Sequence, residues 1–137
     1  MKKETIKIFG KEVDMLYCAA AEIGYEKLSG KSSEVFIPKR AMSGDQPVND
    51  SDGSPIYNAP EATLDDYIKL AVSAIIAAYA REGKDAPITT KDILYDAPPN
   101  DVTTIVATVT RLRNEWYTMP AALQNDEISE DVASKNA

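Results

Sequence analysis

Glu22 and Glu26 stand one helical turn apart, a spacing at which two carboxylates can share a divalent cation or divide acid and base roles. No third oxygen ligand stands at matching spacing and Lys27 adjoins the pair, so we read them as a solvated helix face. Asp50-Ser51-Asp52-Gly53 has the opening of a calcium loop. An EF-hand in that register needs an acid where Val48 stands and a bidentate Glu where Ala59 stands. Both are missing, and the segment reads as a turn. Cys18, the one cysteine, lies among alanines. A nucleophilic thiol needs a base, and the chain contains no His. That absence also removes the usual catalytic triads and most catalytic zinc sites. Gly10, Gly24 and Gly30 match no phosphate-binding pattern. No catalytic residue, cofactor ligand or metal ligand is assigned. Two groups suited to protein contact are left: Trp116 and Tyr117 beside Arg111 and Arg113, and the apolar residues of 64–82.

The chain has 137 residues, enough for one domain with a sizeable core. Its 15 Lys and Arg face 22 Asp and Glu, a net charge of −7, which argues against nucleic acid or anionic lipid as partner. The excess acid is local. Residues 41–62 hold Asp45, Asp50, Asp52 and Glu61 with no Lys or Arg, and residues 121–137 hold Asp126, Glu127, Glu130 and Asp131 against Lys135. Either these segments solvate the domain, or they meet a basic partner. Lys2 and Lys3 are followed by no apolar run, and Leu70–Ala80 is too short to span a bilayer. A cytoplasmic protein is expected.

The elements that position these groups follow from periodicity. Thr5–Phe9 and Glu12–Tyr17 alternate around Gly10-Lys11, predicting a β-hairpin that buries Ile6, Ile8, Val13 and Met15. From Cys18 to Ser29, Ala19, Ala20, Ile23 and Leu28 take helical spacing, with Gly30 at the C-cap. Glu34–Ile37 and Ile56-Tyr57 read as short strands, which would pair as a second hairpin with a flexible acidic loop at about 41–55 as its tip. Thr63–Glu82 is the clearest helix. Thr63-Leu64-Asp65-Asp66 forms a capping box, and Gly83 closes the helix. Leu64, Tyr67, Ile68, Ala71, Val72, Ile75, Ile76 and Tyr79 cover more than half its circumference, leaving a polar strip of Asp66, Lys69 and Ser73. Such a helix is buried in its own core or partly by a partner. A short helix runs from Thr89 through Tyr95, and a longer one, capped by Asn100 or Asp101, covers 101–117. The β-branched Val102–Thr110 stretch also suits a strand, but the apolar spacing continues through Leu112 to Trp116 and favours helix. The fold class is therefore α+β: an N-terminal hairpin, a second hairpin, and three to four helices in one domain over 1–120, followed by a disordered acidic tail at 121–137.

Three stretches resemble the small tail assembly chaperones of long-tailed bacteriophages and prophages. They are Ile6-Lys7-Ile8-Phe9-Gly10-Lys11-Glu12-Val13, the helix Ala21–Gly30 with its Lys31-Ser32 step, and the apolar helix introduced by Asp65-Asp66-Tyr67. Together they span about two thirds of the chain. The acidic 41–62 segment and Leu112–Pro120 are not matched. The resemblance implies a non-enzymatic protein of the host bacterial cytoplasm. It would bind the long, aggregation-prone tape measure protein, recruit tail tube subunits and be absent from the finished particle. On that reading the partner contacts fall on Tyr67, Ile68, Val72, Ile75, Tyr79, Arg113 and Tyr117, with self-association left open. The alternatives are another virion component, such as a neck or tail-completion protein, a small metal-dependent enzyme built on Glu22, Glu26 and loop carboxylates, and, last, an acidic DNA mimic.

Overall fold

The computed structural model describes residues 3–119; the tail expected at 121–137 lies outside them. The order of elements is that of an α+β domain. β1 (Lys3–Ile8) and β2 (Lys11–Leu16) form the expected antiparallel hairpin. Ile8 lies opposite Lys11, so the turn is Phe9-Gly10 and not Gly10-Lys11. Both turn residues have positive φ, 54° and 72°, as a type I′ turn between twisted strands requires. Phe9 pays a steric penalty there that Gly10 does not. Its N–H donates to the Asp101 carboxylate at 3.0 Å, which holds the turn against the last helix. Ile8, Val13 and Met15 are buried, and Ile6 is half-buried.

α1 (Ala19–Ser29) ends at Gly30, whose φ of 72° suits a left-handed C-cap. Its buried face is Ala21 and Tyr25. The face expected from Ala19, Ala20, Ile23 and Leu28 is exposed. The cause is the approach of α2 (Leu64–Ala80). A Cβ on Gly24 would lie 3.3 Å from the Ser73 Cβ, so the small pair Gly24–Ser73 marks the crossing point and turns Tyr25 inward.

Residues 34–37 are not a strand. Ser33–Phe36 is a turn of 3-10 helix, because the Ser32 hydroxyl accepts the Glu34 N–H at 3.2 Å and the Ile37 N–H returns to the Glu34 carbonyl. Phe36 is thereby driven into the core, edge-on to Tyr25 and Tyr67. The second hairpin springs from β3 (Lys39–Arg40), paired with β6 (Tyr57–Asn58). Inside it, β4 (Met42–Ser43) and β5 (Gln46–Pro47) pair around Gly44. Asp50 accepts the N–H groups of Asp52 and Ser54, the turn read from the sequence.

α2 starts with the expected capping box of Thr63 and Asp66. α3 (Thr90–Asp96) repeats it with Thr89 and Asp92. α4 (Pro99–Thr118) is helical throughout. Its first residue is Pro99, a position where proline's missing N–H costs nothing. Asn100 and Asp101 are therefore inside the helix and do not cap it. Ile105, Val109 and Leu112 of α4 join Ile68, Ala71 and Ile75 of α2, the inner face of the hairpin, Tyr25 and Ile93 in one core. No described helix is long and apolar enough to cross a membrane.

Candidate protein-binding groove

The residues expected to meet a partner divide into three sets. Ile68, Val72 and Ile75 are buried in the chain's own core, and this corrects their assignment as contacts: α1, the hairpin and α4 already cover that side of α2. Tyr67 and Tyr79 are half-buried. The Tyr67 ring stands edge-on to Phe36 at 5.1 Å, and the Tyr79 hydroxyl accepts the Asp14 N–H at 3.2 Å. Both stitch elements together.

Arg113 and Tyr117 belong to the third set, which converges on Glu22. Arg113 is 8% exposed. Its Nε lies 3.6 Å from a Glu22 oxygen, and its guanidinium covers the rings of Phe36 and Tyr117. The hydroxyls of Tyr17 and Tyr117 donate to the same Glu22 oxygen at 2.5 and 2.7 Å. Burial by itself pushes the Glu22 carboxyl up. Hydrogen bonds from Ser33, Tyr17 and Tyr117 and the charge of Arg113 outweigh it, leaving Glu22 below the usual carboxylate range. Burial first, then Glu22, pushes the Tyr17 phenol far up, and the same two causes raise Tyr117. Glu22 is thus the acceptor that locks α4 onto α1. Glu26 is exposed and makes no pair with it. Among the described residues no three His, Cys, Asp or Glu side chains are grouped to hold a metal.

The polar strip of α2 is also not a solvent face. Asp66 and Ser73 are 1% and 2% exposed, because α1 lies over them. Asp66 accepts from the Thr63 N–H at 2.9 Å, the Tyr25 hydroxyl at 3.0 Å and the Lys31 ammonium at 3.2 Å. These bonds overcome the upward push of burial and hold its carboxyl below the ordinary value.

What stays open is an apolar groove of about 610 Å³ where the start of α2 meets the outer face of α4. Leu64 forms one wall, Val102, Thr103, Val106 and Ala107 the other, and Ala97 and Pro99 close one end. Leu64 is 59% exposed. Residues 102, 103, 106 and 107 sit beside the buried 105–109–112 stripe; on this adjoining face Val102 and Val106 are half-buried and Thr103 and Ala107 exposed. The sequence signal for the groove was the width of the apolar stripe: Val102 and Val106 were part of it, but nothing distinguished them from its inward members. A second groove of about 560 Å³, between Leu28, Ile76, Ala80 and the 84–91 connection, is edged by Lys84, Asp85 and Lys91.

No known protein family, curated protein or solved structure matches this chain.

Proposed function

We propose that this protein is a non-enzymatic tail assembly chaperone of a long-tailed phage or prophage, and that it shields apolar helices of the tape measure protein in the α2–α4 groove. The observation that carries the reading is the groove itself. Its lining is almost wholly aliphatic, it is open to solvent along α4, and it lies between the first turn of α2 and the first half of α4. Ligand sites of this shape take the apolar face of an amphipathic helix, read at i, i+3 and i+4. The contact set accordingly moves from Ile68, Val72 and Ile75 to Leu64, Val102 and Val106.

The test is co-expression with the long helical protein encoded just downstream. The proposal expects that protein to be insoluble alone and soluble in complex with this chain. A partner that is soluble by itself and does not bind overturns it. Presence of this chain in purified particles supports the neck or tail-completion alternative instead.

A further inference from the structure

Asp52 is the only aspartate in the chain followed by glycine, and no asparagine is. A backbone nitrogen can attack the side-chain carboxyl of the residue before it, and glycine lacks the Cβ that obstructs the approach. The two acids of this turn are placed differently. Asp50 is tied in: its Oδ1 accepts the N–H groups of Asp52 and Ser54, both at 2.9 Å, and its own N–H donates to the Ser54 carbonyl at 2.9 Å. The Asp52 carboxylate has no hydrogen bond or ion pair with another described residue. Gly53 has a φ of 80°, and nothing lies within 4 Å of the place its Cβ would take. Its N–H donates to the Asp50 carbonyl at 3.0 Å, and that one bond must open before the nitrogen can react. Residues 49–59 are all exposed. The strands beneath the turn pair only with one another, and none of residues 41–58 joins the core. Backbone bonds in such a segment open at low cost, without unfolding the domain.

We infer that Asp52-Gly53 is a site of spontaneous main-chain modification, converting to isoaspartate through a cyclic imide. The Gly53 nitrogen bonds to the Asp52 Cγ, its proton and a side-chain hydroxyl leave as water, and a five-membered ring closes. Water then adds at the ring's α-carbonyl and the C–N bond there breaks. The main chain now runs through Cβ and Cγ, the former α-carbonyl is a free carboxylate, and no mass is gained or lost. Water is the only co-reactant. The added main-chain carbon upsets the four-residue spacing on which the Asp50–Gly53 bond depends. The tip of the hairpin therefore rearranges while the core does not.

The test ages the full chain in ¹⁸O-labelled water at about pH 5, where a fraction of an exposed aspartate is in the reactive acid form. Trypsin then releases the peptide 41–69 for mass spectrometry. The expected product is a second chromatographic peak of this peptide, carrying one ¹⁸O, that an Asp-specific protease no longer cuts at residue 52. Asp52→Glu should abolish it, because a glutamate would have to close a six-membered ring, and it should preserve the fold because residue 52 is exposed. The rate in the folded chain should lie within about tenfold of the rate in the isolated peptide 41–69, since only a local opening is needed. The aged protein should keep its melting temperature, with amide shifts confined to residues 41–58. A folded chain that reacts more slowly than that limit, while the peptide reacts, means that the Asp50–Gly53 bond protects the site and overturns the inference. So does isoaspartate forming equally fast at other aspartates, or a second peak that survives Asp52→Glu. A lowered melting temperature would overturn the separation of the turn from the core.

Discussion

The two Thr-x-x-Asp capping boxes offer an internal comparison, because Asp66 does more than cap. Asp66→Ala removes the cap of α2, worth about 1 kcal/mol. It also strips the fully buried Tyr25 hydroxyl of an acceptor, a loss of about 1.5 kcal/mol. The Lys31 ammonium, half-exposed, can turn to water, so its pair adds under about 1 kcal/mol. The expected loss is about 3 kcal/mol, which lowers the melting temperature by about 12 °C for a domain of this size. Asp66→Asn keeps one acceptor oxygen and should cost about 1 kcal/mol. Asp92, the equivalent residue in α3, is held only by Thr89, so Asp92→Ala should be clearly milder than Asp66→Ala. Urea unfolding of the four proteins measures this directly. If Asp66→Ala and Asp92→Ala cost the same, the buried network under α1 contributes nothing and the reasoning fails.

Acid should weaken the fold through the same groups. Asp66 and Glu22 both titrate below their ordinary values, so the native state binds fewer protons than the unfolded chain. The stability they add is complete above about pH 5 and is lost as pH falls through the lowered values; urea midpoints from pH 6 to pH 3 should show it, with a smaller fall in Asp66→Asn. Glu22→Gln leaves the buried Arg113 without its counter-charge and should cost about 3 kcal/mol. Trp116, edge-on to both Tyr17 and Tyr117, should report the loosened α4 as a red-shifted emission; unchanged emission and stability would contradict the lock. Gly24→Val should cost about 2 kcal/mol by overpacking against Ser73, and a neutral result would mean that α1 and α2 are not in close contact there. Tyr17 should not ionise before alkaline unfolding, which ultraviolet titration checks.

The sequence was most legible where one period ran without interruption. The hairpin, α2 and α4 follow from alternation and helical spacing, and both capping boxes are where Thr-x-x-Asp puts them. It was least legible where a polar side chain faces another element. Asp66 and Ser73 have the spacing of a solvent strip; only the position of α1, set by Gly24, makes them interior. Residues 34–37 have strand-forming side chains, but the Ser32 hydroxyl offers the backbone a competing turn. For the candidate groove, α2 and α4 were legible as helices, but not which of their faces stays open. A buried aliphatic and an exposed one look alike in a list of residues, and the distinction between Ile75 and Leu64 comes only from what packs on each.

The most direct test maps the groove in solution. The ¹⁵N-labelled full chain is titrated with helical segments of the downstream-encoded protein, and its amide shifts are followed by NMR. The account predicts shifts concentrated on Leu64, Val102, Thr103, Val106 and Ala107. Shifts confined to the second groove or to the 39–58 hairpin, or none at saturating peptide, would contradict it.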